Sequence, residues 1–335
     1  MPQRLGRYAV RRRIGSGGFA TVWLAYDEQL DSPVAIKVLA DNWTEDSHVR
    51  RRFVEEGRFL RKVDSPHVVG VYDAGELDDG RPYLVMTYAD QGTLSDRLED
   101  GALAADQGLD VIRQVGLGLT ALHRRGVLHR DVKPGNVLFR TDDTDDDTDD
   151  DSPDLKGGEG GEVGKPERVR AMLGDLGLGK SMDMSSRLTM IAGTPSFVAP
   201  EQARGESPDA RADQFSLGAL TYLVFTGRPP YGHASLAAAA EPGPPPRLGT
   251  PQRPFPDEVE EVVARALATD REERFPDVRS YVAALTKAVD GRAVPAGRSR
   301  LLHDPQLTQV GARPSPAPAK PTNRGKTGED ETAVR

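Results

Sequence analysis

The run His129-Arg130-Asp131-Val132-Lys133-Pro134-Gly135-Asn136 decides how this chain is interpreted. Within eight positions it offers a base, a cation and an amide oxygen for a metal, in the pattern H-R-D-x-K-x-x-N. A site that transfers a phosphoryl group needs these three functions close together, because such a site mostly positions its reactants and neutralises charge. The apolar run Val137-Leu138-Phe139 follows directly and predicts a strand that anchors the loop.

The composition is typical of a globular chain that uses no cysteine chemistry. Of the 335 residues, 37% are hydrophobic and 29% are charged, and none is cysteine. This excludes disulfides, thiolate metal sites and a cysteine nucleophile. No apolar run reaches the roughly 18–20 residues that span a bilayer, and residues 1–13 lack the apolar core of a signal peptide. We therefore expect a cytoplasmic protein without a membrane span.

The net charge of −8 comes from one short stretch. Residues 141–154 read TDDTDDDTDDDSPD and hold nine of the 52 acidic residues, so the remainder carries 43 acidic against 44 basic side chains. A chain this close to neutral has no overall basic field, so we expect no nucleic-acid partner. Because like charges repel, the acidic run predicts a disordered insertion over about residues 141–165, most simply a tolerated loop.

Short β-rich runs separated by glycines alternate with helical patterns along the chain. The strand-like runs lie at residues 8–10, 21–25, 34–39, 68–72 and 83–87, with one charged amphipathic helix at 47–63. From Thr93 the pattern is mostly helical, with candidates at 108–125, 213–226, 234–240, 257–269 and 277–289. Residues 290–335 are rich in Pro, Gly and Arg and predict a flexible tail.

Two further segments carry groups suited to phosphates. The stretch 15–22 reads GSGGFATV, and its glycines let backbone amides approach phosphate oxygens, although alone it indicates no more than a turn. The run Val34-Ala35-Ile36-Lys37 ends on a lysine, and a helix bearing Glu55-Glu56 follows. An ammonium group that holds phosphates needs a carboxylate to orient it. Helical periodicity does not choose between these two glutamates, because adjacent residues differ by about 100°.

Later segments supply the remaining parts of a phosphoryl-transfer site. Asp175-Leu176-Gly177 provides an anionic ligand that would hold Mg²⁺ together with Asn136. Asp131 would accept the proton of the attacking hydroxyl, and Lys133 would neutralise charge on the transferred group. Residues 193–201 read GTPSFVAPE and are followed far downstream by Arg274.

In this order the motifs resemble those of bacterial eukaryotic-like (Hanks-type) serine/threonine protein kinases, across residues 8–289. The resemblance implies an α+β bilobal protein-kinase fold, with a β-rich N-lobe over 8–89 and a mostly helical C-lobe over 90–289. It also implies ATP and Mg²⁺, with Mn²⁺ as an alternative metal, and protein Ser/Thr hydroxyls as acceptors. Two departures stand out: Ala20 replaces the third glycine of G-x-G-x-x-G, and Leu176 replaces the Phe of D-F-G.

The same resemblance assigns roles to individual residues. It selects Glu56 as the partner of Lys37, with Glu55 as the alternative, and it makes Thr194 a neighbour of Asp131 and Lys133. Structural roles fall to Asp213, which braces the catalytic loop, and to an ion pair between Glu201 and Arg274. The expected ATP-binding residues are Gly15, Ser16, Gly17, Gly18, Phe19, Ala20, Val22, Ala35, Lys37, Met86 (the gatekeeper), Tyr88 (in the hinge 87–89) and Leu138.

Regulation is expected through phosphorylation of the chain itself. In kinases with an arginine at the position of Arg130, a phosphorylated residue of the activation segment pairs with it and orders the segment. Ser181, Ser185, Ser186 and Thr189 are the candidates, and Thr189 is favoured. An acidic lead into Thr332 suggests a phosphothreonine-binding partner of the FHA type, although an ordinary polar tail is the simpler reading. Relatives also suggest a homodimer through the small lobe.

Two other functions compete with an active protein kinase. A pseudokinase that serves as a binding scaffold would be expected to lack the lysine, the base or the metal-binding aspartate, and all are present here. A small-molecule phosphotransferase shares an H-x-D-x-x-x-x-N loop, but Ala199-Pro200-Glu201 and its distant arginine argue against that class.

Overall fold

A computed structural model describes residues 4–99, 101–142, 169–176, 195–233, 235–292, 294–295 and 297. Most of the acidic insertion, the phosphorylation candidates Ser181, Ser185, Ser186 and Thr189, the catalytic candidate Thr194, and nearly all of the tail with Thr332 lie outside the described residues.

The N-terminal part is built on a six-stranded antiparallel sheet. Helix α1 (Ser47–Leu60) packs against its last two strands. The strands are β1 (Arg4–Leu5), β2 (Tyr8–Ser16), β3 (Ala20–Asp27), β4 (Ser32–Leu39), β5 (Val71–Glu76) and β6 (Pro82–Thr87), in the spatial order β1-β2-β3-β4-β6-β5.

The alternation of side chains along β4 places Lys37 on the face of the sheet that α1 covers. Val34, Ile36 and Val38 pack in one cluster with residues of β1 to β3, whereas Ala35 and Leu39 belong to the main core. Because successive side chains on a strand point to opposite faces, Lys37 lies on the same face as Ala35 and Leu39. This is the face that α1 covers.

The sequence predicts five strands for the N-terminal lobe, whereas its sheet has six. Strand β1 has only two residues and pairs with β2 across a turn in which Gly6 has a φ of 56°, which is too short a signal to recognise as a periodic pattern. The predicted strand at 68–72 begins later, at Val71. Val68 instead bridges to Leu173 in the second lobe, so part of that apolar run joins the two lobes.

The C-terminal part is mostly helical around one apolar core. Its helices are α2 (Leu94–Arg97), α3 (Ala105–His123), α4 (Pro200–Ala203), α5 (Ala210–Thr226), α6 (Leu236–Ala240), α7 (Asp257–Ala266) and α8 (Val278–Val289). Helix α5 is buried along nearly its whole length, and α3 packs against α5 and α8. Asp213 was predicted to start its helix; the helix begins earlier, at Ala210, because Asp209 caps it by accepting from the backbone of Arg211.

A small hairpin carries the ends of two functional segments. Strands β7 (Val137–Thr141) and β8 (Val169–Leu173) are antiparallel, with Val137 opposite Leu173. This register brings Asn136, just before β7, beside Gly174, just after β8, whose amide donates to the Asn136 carbonyl oxygen at 2.9 Å. The catalytic-loop end and the segment of Asp175 are therefore neighbours because of one strand pairing.

Candidate active site

Asp213 holds the catalytic loop from beneath. Its carboxylate accepts from the amides of His129 (2.8 Å) and Arg130 (2.7 Å) and contacts His123 Nε2 at 2.7 Å. Arg130 has a φ of 64°, an unfavourable backbone conformation for a residue with a side chain. Burial would raise the pKa of Asp213, but the hydrogen bond from His123 and nearby charges lower it below its ordinary value. An ionised Asp213 thus stabilises a strained loop.

His129 connects the catalytic loop to the segment of Asp175. Its Nε2 lies 3.1 Å from the carbonyl oxygen of Gly174, and its Nδ1 lies 3.3 Å from the amide nitrogen of Asp131. Complete burial lowers the pKa of His129, which favours the neutral ring. A neutral ring that donates from Nε2 and accepts at Nδ1 satisfies both contacts.

The loop places the side chains of Lys133 and Asn136 around the carboxylate of Asp131. Lys133 Nζ lies 3.0 Å from Asp131 Oδ2. The amide nitrogen of Asn136 donates to the Asp131 backbone oxygen at 2.7 Å and to Oδ2 at 2.9 Å. Because the side-chain nitrogen of Asn136 makes these two bonds, its side-chain oxygen Oδ1 is the atom suited to a cation, and Asn136 lines the open cleft. The arrangement suits a base with a cation on one side and a metal ligand on the other.

Lys37 lies between two carboxylates on opposite lobes. Its ammonium is 2.7 Å from Glu56 Oε1 on α1 and 2.8 Å from Asp175 Oδ1, just after β8. Glu55, the alternative partner, is instead 3.0 Å from Arg51 on the surface of α1. The structure therefore brings Lys37 to Glu56 and leaves Glu55 outside the site.

The two carboxylates that share Lys37 titrate differently. Burial by itself would lower the pKa of Lys37, but Asp175 and Glu56 outweigh burial and raise it. Burial raises the pKa of Glu56 despite the lysine, whereas the lysine lowers the pKa of Asp175, whose side chain is 54% exposed to the cleft. The carboxylate that faces the cleft is thus the one held most firmly in its anionic form.

The cleft between the lobes has an apolar end and a polar end. At the apolar end, Val22, Ala35 and Leu138 approach the hinge, with Met86 at its back. At the polar end are Asn136 and Asp175. A slot of this kind fits a flat aromatic base at one end and phosphates with a metal at the other.

The donor set at the polar end suits a hard cation that keeps other ligands. Asn136 and Asp175 offer an amide oxygen and a carboxylate, which are ligand types that Mg²⁺ prefers. Within the described part of the chain, no group of three or more His, Asp and Glu side chains is arranged to hold a metal ion. A cation here would therefore complete its shell with phosphate oxygens or water.

Apart from Lys37, which contacts Glu56 and Asp175, the predicted nucleotide-binding residues divide into two groups. Gly15, Val22, Ala35, Met86, Tyr88 and Leu138 line the cleft. Ser16, Gly17, Gly18, Phe19 and Ala20 form the tip of the hairpin between β2 and β3, beyond the cleft lining. Phe19 stacks on Trp43, with ring centroids 5.2 Å apart, and Ala20 is buried.

The predicted pair of Glu201 and Arg274 is present and buried. Arg274 donates from both terminal nitrogens to the Glu201 carboxylate, at 2.8 and 2.9 Å, and both side chains are at most 1% exposed. The pair joins α4, which begins at Pro200, to the turn that precedes α8.

Sequence reasoning missed several residues of the site. Ile14 and Val69 add apolar surface to the cleft; Asp90, Thr93 and Asp96 add polar groups below the hinge. Ile14 stands directly before the glycine segment on a strand, so its position could have been inferred from strand alternation. The polar groups come from a loop and a short helix whose position depends on tertiary packing.

Comparison with known proteins agrees with this geometry. The family model described as the protein kinase domain matches residues 8–276. The chain belongs to the protein kinase family. The predicted α+β kinase fold is confirmed, since the chain is similar to the crystal structure of the Mycobacterium tuberculosis PknI kinase domain, with a TM-score of 0.63 and 28% identity over 85% of this chain and 98% of that one.

The curated relatives that the chain matches are named serine/threonine-protein kinases, in agreement with the predicted family. The chain is 32% identical to PknB of Mycolicibacterium smegmatis over 93% of its length, and 32% identical to PknL of M. tuberculosis over 95%. The chain spans about half the length of PknB, 48%, and 78% of PknL. Among the residues that the structure describes, no helix combines the length and apolar character needed to cross a membrane.

Proposed function

We propose that this protein is an active serine/threonine protein kinase that transfers the γ-phosphoryl group of ATP to protein hydroxyls, with Mg²⁺, or alternatively Mn²⁺, as its metal. One observation carries the proposal: Lys37 contacts both Glu56 and Asp175, at 2.7 and 2.8 Å, beside a cleft that also holds Asn136. An inactive arrangement of a kinase separates this lysine from its helix glutamate. Here both partners are in place.

The residues of the catalytic loop divide the chemistry among them. Asp131 accepts the proton of the attacking hydroxyl and aligns the oxygen with the phosphorus. Lys133, 3.0 Å from the same carboxylate, neutralises charge on the transferred group. Asn136 and Asp175 would hold the metal, which would supply positive charge to the phosphates when bound. Lys37, oriented by Glu56, holds the phosphates that stay behind.

The preference for serine and threonine rests on Lys133, on the Gly193-Thr194 pair and on the names of the relatives. We assign Thr194 a place beside Asp131 and Lys133, although it lies outside the described residues. The lysine supports this assignment because it is already on the Asp131 carboxylate, where it would also meet a threonine hydroxyl.

We further propose that autophosphorylation of Thr189 activates the enzyme. Arg130 lies next to the catalytic aspartate on a loop held by Asp213, so a phosphate that paired with Arg130 would order the activation segment against the site. Cytoplasmic location, an FHA-type partner at Thr332 and a homodimer through the small lobe remain proposals. The absence of cysteine supports the first of them.

The test is the intact mass of purified, phosphatase-treated protein after incubation with ATP and Mg²⁺. Added phosphate on the wild type but not on Asp131→Asn is the expected result, because the asparagine keeps the shape and removes the base. Fragment mapping should then find phosphate on Thr189, and Thr189→Ala should lower transfer to a generic protein substrate.

Three results would argue against these proposals. Equal phosphate on the wild type and Asp131→Asn would point to a contaminating kinase. No transfer to the chain itself or to an added protein would favour a binding scaffold. Normal activity of Thr189→Ala would remove the proposed activation step while leaving the catalytic assignment intact.

A further inference from the structure

Trp43 contacts the tip of the glycine hairpin at two points. Its indole Nε1–H donates to the carbonyl oxygen of Gly18 at 2.7 Å. Its ring stacks on Phe19, with centroids 5.2 Å apart and planes 22° apart. A second hydrogen bond also holds this tip: the amide of Ala40 donates to the backbone oxygen of Phe19 at 2.8 Å. The tip is thus attached to residues 40–43 and does not stand free.

Trp43 lies between the two elements that carry Lys37 and Glu56. It ends a short 3-10 turn, Asp41–Trp43, between β4, which carries Lys37, and α1, which carries Glu56. Its side chain is partly buried against the main core, so the indole has a fixed base. Its backbone oxygen accepts from the amide of Asp46, the residue that caps α1. One residue therefore links the hairpin tip to the start of the helix that orients Lys37.

The hydrogen bond also sets the direction of one peptide group. In a trans peptide the C=O and N–H point in opposite directions. When the Gly18 oxygen is bound by Trp43, the amide hydrogen of Phe19 is therefore directed away from the indole. Within the hairpin, the amide of Gly17 donates to the Ala20 oxygen at 2.9 Å, whereas Gly18 lies in open space, since a Cβ there would meet no atom within 4 Å. Trp43 is the side chain that fixes the Gly18 peptide from outside the hairpin, next to the backbone bond from Ala40 to Phe19.

We propose that Trp43 is a positioning residue for nucleotide binding, acting through Gly18 and Phe19 to hold the hairpin tip in the form that closes over phosphates. The proposal rests on the kinase function proposed above. It also accounts for a hairpin that has Ala20 where the family has its third glycine: the tip is fixed by an outside contact and does not depend on that glycine.

The expected losses follow from the two contacts. Trp43→Phe keeps a ring for Phe19 and removes the N–H donor, which should raise the Kd for ATP·Mg²⁺ about fivefold. Trp43→Ala removes both contacts and should raise it up to about thirtyfold. Because the tip acts in binding, kcat at saturating ATP should fall much less than Kd rises. Trp23→Phe is the control, because it changes the only other tryptophan of the sequence. Trp23 lies on β3 and packs against the cluster of Val34, Ile36 and Val38, so this variant should leave Kd unchanged.

Three measurements on the full chain test this. Calorimetric titration with ATP·Mg²⁺ gives Kd for each variant, and phosphate transfer gives kcat. In the Trp23→Phe background Trp43 is the sole tryptophan, so acrylamide quenching of its emission reports the contact without any nucleotide. Phe19→Ala in that background should raise the quenching constant about twofold, because the stacked ring that covers one face of the indole is gone.

The outcomes separate this inference from the proposed function. A Kd for Trp43→Ala within twofold of the parent, or quenching unchanged by Phe19→Ala, would overturn the role of Trp43 while the kinase function stood. A lower melting temperature with unchanged Kd would show a structural role only and would also overturn it. A parent chain that bound no ATP·Mg²⁺ would instead overturn the proposed function, and the positioning role with it.

Discussion

The buried pair of Arg274 and Glu201 offers the sharpest test of how the C-terminal lobe is stabilised. Arg274→Met should lower the free energy of unfolding by about 3–5 kcal/mol, the usual loss when one partner of a buried ion pair is removed. Arg274 makes two bonds to Glu201 and three to backbone oxygens, those of Ala268 (2.8 Å), Arg211 (2.9 Å) and Thr269 (3.3 Å). None of these acceptors regains a donor from methionine.

The magnitude can be worked from these contacts. A hydrogen bond to a charged group contributes about 1.5–3 kcal/mol, so the two bonds to Glu201 account for most of the expected loss. Methionine keeps apolar volume against Phe215, whose ring centroid is 4.9 Å from the guanidinium carbon, so the cavity contribution is small. A loss near 4 kcal/mol corresponds to a melting temperature lower by roughly 10 °C for a protein of this size.

The assay is urea unfolding followed by circular dichroism, with thermal melting alongside. Arg247→Met is the matched control, because Arg247 is 69% exposed: its pair with Asp257, 82% exposed, and its longer contact of 3.6 Å with Glu260 should together contribute about 0–1 kcal/mol. The double variant Arg274→Met with Glu201→Leu should be more stable than Arg274→Met alone, since it leaves no buried unpaired charge. A loss below about 1 kcal/mol for Arg274→Met, or strictly additive losses in the double variant, would refute the reasoning.

Three other predictions follow from the same structure. Glu56→Gln should lower kcat/KM for ATP about 10–100-fold by loosening the lysine, as steady-state transfer would measure, whereas Glu55→Gln should stay within about twofold. Asp213→Asn should lower the unfolding free energy by about 2–4 kcal/mol near neutral pH. Because the folded-state pKa of Asp213 lies below 3.8, this stabilisation is full above that pH and is lost as pH falls through the lower value, so the two unfolding curves should converge in acid. Gly118→Ala would place a Cβ 2.5 Å from a backbone oxygen and should destabilise by about 1–3 kcal/mol in urea, while Gly232→Ala, with no atom within 4 Å, should be near neutral.

Each of these has an outcome that would contradict it. Equal losses of kcat/KM in the two glutamate variants would mean that Glu56 has no special place at the lysine. A constant difference between wild type and Asp213→Asn down to the lowest pH would mean that the carboxylate is not the stabilising form. An unchanged unfolding free energy for Gly118→Ala would mean that helix α3 can move away from the backbone at His67 without loss of stability.

The sequence by itself determined the chemistry of the catalytic loop and the positions of the long helices. The eight residues from His129 to Asn136 carry their identities at fixed offsets, so the base, the cation and the metal ligand were recognisable before any fold was known. Long helices such as α3 and α8 were predicted to within a few residues, because their apolar positions repeat with the helical period. Short elements such as β1 carry too few residues for any period to show.

Tertiary structure decided what periodicity leaves open. Glu55 and Glu56 are adjacent and chemically alike, and only the packing of α1 on the sheet turns Glu56 toward Lys37 while Glu55 meets Arg51. The contact of Trp43 with the hairpin tip joins residues that are 25 positions apart, and no local sequence pattern predicts it. Chemical roles reside in residue types that a sequence displays directly. Which of two like residues takes the role depends on distances between segments, and those exist only once the chain has packed.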